Sequence, residues 1–103
     1  MATFIILANY TAEGLREVKD TLRRTEAFQE TAAKFGVRVK EVYWTLGQFD
    51  MLATVEGPDD VSVTSLTLAM SVMGKLHTQT VRAFQAEEMQ LILDRMATTQ
   101  VAG

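Results

Sequence analysis

The chain has 103 residues, of which 48% are apolar and 22% charged, with one proline and no cysteine. This length fits one domain, here expected over residues 1–103 with a frayed tail from about residue 97, and such a domain buries roughly 60–70% of its unfolded surface without a metal or disulfide. The lack of cysteine excludes disulfides, thiolate nucleophiles and Cys-ligated zinc or iron–sulfur centres. A net charge of −3 provides no basic surface for a phosphate backbone, so we expect no nucleic-acid partner.

The first apolar run, residues 4–8, is too short for the apolar region of a secretion signal and has no Lys or Arg before it. No stretch approaches the roughly 20 apolar residues of a membrane span. We therefore expect a cytoplasmic protein with no membrane partner, and nothing in the composition calls for a cofactor or a metal.

The first half of the chain reads as a strand followed by a bent helix. Residues 3–10 form a short apolar strand, and residues 11–14 form a turn into helical spacing. Two apolar stripes of different phase follow, which predicts a bend near residues 23–25. The first stripe is Leu15, Val18 and Leu22, and the second is Phe28, Ala32 and Phe35. Gly36 then ends the helix as a left-handed cap.

A hairpin and a second helix come next. Residues 37–46 alternate as a strand, with Tyr43 and Thr45 on one face and Trp44 on the other. Gly47-Gln48 suits a two-residue type II′ turn, and residues 49–56 form the returning strand. The segment Gly57-Pro58-Asp59-Asp60 breaks the pattern and caps a helix that ends at Gly74.

Residues 77–84 form the last strand, and Met89, Ile92, Leu93 and Met96 mark an amphipathic helix over residues 87–96. The element order is therefore βαββαβ plus a C-terminal helix. With right-handed crossovers this order predicts an α+β fold of the ferredoxin-like type, whose antiparallel sheet has the order 4-1-3-2 and whose helices cover one face.

The composition of the second sheet face decides whether it meets water, a partner or a ligand. We expect this face to combine apolar bulk with hydrogen-bonding groups, which is typical of a pocket wall. The residues assigned to it are Tyr43, Thr45, Asp50, Leu52, Thr54, Thr78, Thr80, Arg82 and Phe84.

Asp50 is the candidate catalytic residue, because a carboxylate seldom enters a strand without a structural or chemical reason. In a partly apolar cavity it can act as a general base. Tyr43, Arg82 and Thr80 are the candidate substrate-binding residues, with Arg82 expected at the same end of the sheet as Asp50. The alternative is structural: Asp50 accepts hairpin N–H groups or pairs with Arg82, and Tyr43 and Arg82 satisfy each other in a dimer.

The other conspicuous residues have ordinary explanations. The lone His77 belongs to a residue type that often transfers protons, but it begins a strand on the face opposite Thr78. The six methionines fill a core more readily than they bind copper. The basic run of Arg16, Lys19, Arg23 and Arg24 is typical of a solvated helix face. RNA recognition by a βαββαβ sheet needs several exposed aromatics together with basic residues, and residues 49–55 lack this pattern.

Three segments resemble the GYD-domain family of small prokaryotic proteins: residues 43–50, residues 57–60 and residues 78–84. The resemblance extends from Phe4 to about Met96. The Gly-x-Tyr-Asp core of the family corresponds here to Gly47-Gln48-Phe49-Asp50, so a phenylalanine replaces the usual tyrosine and Asp50 is retained.

Two further positions differ from the family pattern. The segment Lys19-Asp20-Thr21-Leu22 is similar to the family's Lys-Asp-Ser-Pro helix break, with Leu22 in place of proline. His77 stands where an arginine is common.

The resemblance implies a ferredoxin-like fold that pairs as a dimeric α+β barrel, and it leaves the function open. One hypothesis is a small-molecule-binding protein, or a cofactor-free monooxygenase- or isomerase-like enzyme, with its cavity between the sheet and a second copy of the chain. The other is a non-catalytic ligand-sensing or assembly module, in which the polar sheet face forms the dimer interface.

Overall fold

The computed structural model describes residues 1–99 and has the predicted α+β architecture. Four antiparallel strands form one sheet in the order β2-β3-β1-β4, which is the predicted 4-1-3-2 arrangement. The strands are β1 (Ala2–Tyr10), β2 (Arg38–Trp44), β3 (Met51–Gly57) and β4 (Leu76–Ala83). The α-helices are α1 (Ala12–Arg16), α2 (Thr21–Lys34), α3 (Asp60–Ser71) and α4 (Ala86–Thr98).

The core lies between one face of the sheet and the helices α2 and α3. Strand β1 alternates strictly, so that Phe4, Ile6 and Ala8 are buried while the residues between them are only partly covered. The paired strand β3 adds Ala53 and Val55 to the same side. The helices contribute Ala32, Val63 and Leu66, and Leu66 is fully buried.

The first helical region breaks earlier than predicted. Helix α1 ends at Arg16, a 3₁₀ turn covers Val18–Asp20, and α2 begins at Thr21. The prediction of a bend near residues 23–25 is therefore wrong by a few residues, although the break coincides with the Lys19-Asp20 segment that resembled the family's helix break. Because the first apolar stripe lies before and across this break, its members do not join the core, and Leu15 is 57% exposed.

The β2–β3 hairpin also differs from the prediction. Trp44 pairs with Met51, and Thr45 N–H donates to the carbonyl of Asp50 at 2.8 Å, so the loop is longer than the two-residue turn expected at Gly47-Gln48. A β-bulge between Val39 and Glu41 shifts the alternation of β2. Val39 consequently packs on the helix side, whereas the simple alternation placed it on the same face as Tyr43.

Helix α3 begins as the sequence predicts. The carboxylate of Asp59 accepts a hydrogen bond from the N–H of Ser62 at 2.8 Å, which is an N-cap, and this bond lowers the pKa of Asp59. At its other end the chain turns through Gly74, whose φ is +77°, into β4.

Helix α4 projects from the domain. All of its residues are exposed except Glu88, which is half-buried. The radius of gyration is 16.3 Å, compared with about 13 Å for a compact domain of this length. The helix extends two residues beyond the predicted end at Met96, and residues 100–103 of the predicted tail lie outside the described residues. No helix within residues 1–99 has the length and apolar character needed to cross a bilayer.

Gly14 provides a test of how α1 is held. Thr11 N–H donates to the carbonyl of Lys75 at 3.0 Å, and a Cβ added at Gly14 would overlap that same carbonyl oxygen. We expect Gly14→Ala to lower the free energy of unfolding by about 3 kcal/mol, because the backbone of Lys75 must move away. Urea unfolding measures this effect.

The matched control is Gly36→Ala. Gly36 has a φ of +74° with open space around an added Cβ, so only the left-handed backbone is penalised, by about 1 kcal/mol. Equal losses for the two variants would contradict the close contact between Gly14 and Lys75.

Candidate functional site

Asp50 joins the β2–β3 hairpin to the end of β1. Its carboxylate accepts the backbone N–H of Tyr10 at 2.9 Å. Its own N–H donates to the carbonyl of Ala8 at 2.9 Å and to the side-chain oxygen of Asn9 at 3.0 Å. A carboxylate at this position therefore satisfies a backbone donor that would otherwise lie unpaired where β1 ends. These bonds give Asp50 a structural role, and a catalytic role for it stays a prediction.

The strand register separates Asp50 from Arg82. Both β3 and β4 run antiparallel to β1, so they run parallel to each other and their first residues lie at the same end of the sheet. Asp50 lies beside Asn9, whereas Arg82 pairs with Phe4, about 17 Å away along β1. The prediction that Asp50 and Arg82 share one end of the sheet is wrong. His77, which pairs with Asn9, occupies that end instead.

Arg82 and Thr80 also lie on the other face from the one predicted. Directly paired residues share a face, and Arg82 pairs with the buried Phe4 while Thr80 pairs with the buried Ile6. The same parity moves Thr78 to the helix side, where it pairs with Ala8. The four predicted site residues therefore do not form one site, although each role by itself remains a prediction.

Arg82 fastens the start of α4. Its guanidinium lies 4.5 Å from the ring centroid of Phe84 and 5.6 Å from that of Phe4, and it donates to Glu88 at 2.7 Å. The bond from Arg82, together with the N–H of Gln85, lowers the pKa of Glu88. Gln85 and Glu88 also form a capping box, so the first turn of α4 has a defined direction as it leaves β4.

Tyr43 lies on the sheet face that none of the helices within residues 1–99 covers. Its hydroxyl donates to Glu41 on the same strand, and this hydrogen bond, with the negative charge of Glu41, raises the pKa of Tyr43. A raised pKa favours the neutral phenol, which can donate a hydrogen bond. Trp44 points the other way, as predicted, and its indole N–H donates to the hydroxyl of Thr21 on α2 at 3.0 Å, but 43% of the residue stays exposed.

The uncovered side of the sheet has an apolar centre and a polar edge. We call it the open face. Its centre consists of the half-buried Ile5, Leu7, Leu52 and Val81. The polar residues around this centre are Asn9, Glu41, Tyr43, Thr54, Glu56, His77 and Gln79. Such an arrangement is typical of a protein–protein interface more than of a pocket wall.

A cavity of about 170 Å³ lies on the other side, between the sheet and the helices. Its floor includes Ile6 and Ala8 of β1, and its walls include Phe28 of α2 and Met70 of α3. The end of the cavity where β1 ends and β4 begins is lined by Tyr10 and Lys75, and we call this end the mouth. The ligand space was predicted over the opposite face of the sheet, and the sequence gives no sign of this cavity.

Sequence reasoning also missed Asn9 and misjudged the helical surface. Pairing the end of β1 with the start of β3 would have identified Asn9 as a neighbour of Asp50, because Asn9 directly precedes the predicted strand end at Tyr10. The exposure of Met89, Ile92, Leu93 and Met96 on α4 has no sequence signal, since the same pattern marks a helix that packs on its own domain. We call these four residues the α4 stripe.

Together, the four-stranded antiparallel sheet and the helices on one of its faces define a ferredoxin-like α+β domain. A family model described as the GYD domain matches residues 4–93. The chain belongs to the GYD-domain family, which confirms the resemblance that was noted in the sequence.

One similar protein has a name that concerns binding. It is the glutamine synthetase and cystathionine beta-lyase binding protein of Thermus thermophilus. The two sequences are 34% identical over 90 residues, which cover 86% of this chain and 95% of the relative.

Two solved structures share the fold. The structure of FFRP-DM1 has a TM-score of 0.54 and 26% identity, and the match covers 82% of this chain and all of the other. The structure of TTHA0845 from Thermus thermophilus has the same TM-score and identity, with 84% of this chain and 96% of the other covered.

A double-mutant cycle tests the separation of Asp50 from Arg82. We expect the effects of Asp50→Asn and Arg82→Ala on the free energy of unfolding to add within about 0.5 kcal/mol, because the two residues share no partner in the described part of the chain. Chemical denaturation of the wild type, both single variants and the double variant measures the coupling.

The control cycle joins Arg82→Ala with Glu88→Gln, whose side chains contact each other. These two changes should be non-additive. Strong coupling between Asp50 and Arg82 would contradict the register given above.

Proposed function

We propose that this protein is a non-catalytic binding protein, which pairs with a second copy through the open face and holds partner proteins with α4. The observation that carries the proposal is the α4 stripe. An amphipathic helix of 13 residues that leaves its apolar side in water lacks the tertiary packing from which most helical stability comes. A protein groove that covers Met89, Ile92, Leu93 and Met96 would supply that packing.

The composition of the stripe fits a protein partner. Methionine side chains are flexible and polarizable and adapt to different surfaces, so they are frequent where one protein binds several others. The anchors are spaced at i, i+3, i+4 and i+7, which is the spacing of a helix that lies in a groove. The polar side of α4 carries Glu87, Gln90 and Asp94, which keeps the free helix in water.

The named relative supports the same class of function. That protein is described as binding glutamine synthetase and cystathionine beta-lyase, and it aligns with almost the whole of this chain. We therefore propose enzymes of these two kinds, from the organism that encodes the chain, as the first partners to test.

The open face supports self-association. Ile5, Leu7, Leu52 and Val81 form a contiguous apolar centre across β3, β1 and β4. Two copies of such a face can pack about 10 Å apart with their side chains interdigitated. Polar side chains around this centre then form the edge of the interface, as in other protein complexes. This is the assembly role that the sequence had left open.

The enzyme hypothesis has less support. It needs Asp50, Tyr43, Arg82 and Thr80 around one space, but the register puts them on two faces and at two ends of the sheet. The carboxylate of Asp50 already accepts the N–H of Tyr10, and the hydroxyl of Tyr43 already donates to Glu41. We accordingly favour binding over catalysis.

Leu7→Asp tests self-association. Leu7 lies at the centre of the open face, so a carboxylate there must be desolvated when two copies meet, and we expect the variant to be monomeric. Analytical ultracentrifugation of wild type and variant over a range of concentrations measures this change.

Val72→Asp is the matched control, since Val72 is 85% exposed at the end of α3 and lies off the open face. It should assemble as the wild type does. A wild type that is monomeric at high concentration, or a Leu7→Asp variant that still assembles, would refute the assignment.

Ile92→Asp tests partner binding by α4. We expect it to weaken binding to the partner enzyme at least about tenfold, because it places a charge in the centre of the α4 stripe. Surface plasmon resonance with purified glutamine synthetase and cystathionine beta-lyase measures the affinity.

Leu91→Asp is the matched control, because Leu91 lies on the side of the same helix opposite the stripe and receives the same charge. Equal losses for the two variants would show that helix stability, and not the stripe, determines binding. If neither enzyme binds the wild type, or if Ile92→Asp breaks the dimer instead, α4 does not have the role proposed.

A further inference from the structure

We infer that the cavity between the sheet and helices α2 and α3 is a binding site for a small apolar monocarboxylate, of the size of a short-chain or aromatic acid. This goes beyond the proposed function, which uses the open face and α4. The inference rests on three observations: the size and walls of the cavity, two hydrogen-bond donors at its mouth, and the charges next to them.

The walls determine the body of the ligand. They come from both layers of the domain and are mainly apolar side chains: Ile6, Phe28, Val42, Met70, Met73 and Leu76. The volume of about 170 Å³ is comparable to cavities of about 150 Å³ that hold a benzene molecule. An apolar group of about six carbon atoms therefore fits, and it would restore contacts that the lining atoms lack.

A hydroxyl cluster at the mouth has one hydrogen to spare. Thr21 Oγ1 accepts the indole N–H of Trp44 at 3.0 Å and shares a hydrogen bond of 2.8 Å with the hydroxyl of Tyr10. That shared bond uses one of the two hydroxyl hydrogens. Whichever residue donates, the other hydroxyl keeps a hydrogen for which residues 1–99 provide no acceptor. Tyr10 and Thr21 both line the cavity.

Arg24 provides a second spare donor. Its Nε is buried and has no hydrogen-bond partner within the described part of the chain, although its other end pairs with Glu17 at 2.9 Å. An unpaired buried N–H of a cation is costly, and native structures rarely leave one without a reason. Arg24 lines the same cavity, one turn of α2 from Thr21.

Two cations that share one carboxylate lie next to these donors. Lys75 also pairs with Glu17, so two partly buried cations share that carboxylate. The other nearby carboxylate, Glu13, is 60% exposed and lies 3.7 Å from Lys75. A ligand carboxylate accepts the spare hydrogens of Arg24 and of the hydroxyl cluster together, and a charge-assisted bond to an arginine is stronger than one between neutral groups. An alcohol or a hydrocarbon of the same size satisfies fewer of these donors.

The probes follow from this chemistry. Hexanoate and benzoate have the predicted size and charge, and hexan-1-ol is the uncharged control of equal length. We expect millimolar hexanoate or benzoate to raise the melting temperature of the full chain by about 2–8 °C, and hexan-1-ol to raise it less. Methyl NMR on the same samples should show shifts at Ile6 and Met70.

Two pairs of variants locate the site. Ala53→Leu and Thr78→Ile fill the cavity from two different strands, and both should abolish the rise in melting temperature caused by hexanoate. Two variants are used because the second still tests the site if the first does not fold. Arg24→Gln should weaken hexanoate at least tenfold while leaving hexan-1-ol unchanged. Arg23→Gln is its control, because Arg23 is 77% exposed and pairs with Asp20 instead.

Each other outcome overturns the inference. If neither acid stabilises the chain, there is no such site. If the acids and hexan-1-ol stabilise it equally and Arg24→Gln changes neither effect, the cavity does not select a carboxylate. If hexanoate still binds both filled variants, it binds outside the cavity. A further contrary outcome is intermolecular NMR contacts between α4 of one copy and Met70 of another, which would identify the occupant as a second copy. Because Leu7 and Ile92 lie outside the cavity, their tests fail or succeed independently of this one.

Discussion

The constraint on which the rest of the structure depends is the central position of β1, with an antiparallel neighbour on each side. Once β1 directs Phe4, Ile6 and Ala8 toward the helices, the register assigns a face to each residue of β3 and β4. It also aligns the first residues of β3 and β4 at one end. The open face, the floor of the cavity and the separation of Asp50 from Arg82 all follow from this one arrangement.

Part of this structure could be predicted from the sequence because the signals were local. The cap at Asp59, the turn at Gly36 and the strand order need only neighbouring residues and the handedness of crossovers. The sheet face on which each strand residue lies could not be predicted from local signals. A single bulged residue at β2 reverses the alternation between Val39 and Tyr43, and no residue type marks it. The face of β4 depends on Phe4 pairing with Arg82, which is a long-range contact.

The candidate site shows the same division. Asp50 stood out correctly as a residue with a reason to be there, and that reason includes the N–H of Tyr10, a partner 40 positions away. The role of Arg82 was misread because the sequence does not show that a cation can lie on Phe4 and Phe84 and hold Glu88. Hydroxyl groups were equally ambiguous, since Thr21 reads as an ordinary helix residue until Tyr10 and Trp44 converge on it.

Strand β4 is the element through which the two faces and α4 are joined. Leu76 and Thr78 reach the cavity, while Gln79 and Val81 face the other way and Arg82 fixes the start of α4. A ligand in the cavity affects assembly or partner binding only if it favours one position of β4 over another, because a ligand shifts an equilibrium by no more than its difference in affinity for the two states. Strand β4 has a neighbour on one side only, β1, so its edge position leaves it freer to move than β1 or β3. Because β4 both lines the cavity and leads into α4, it is the direct connection between the two.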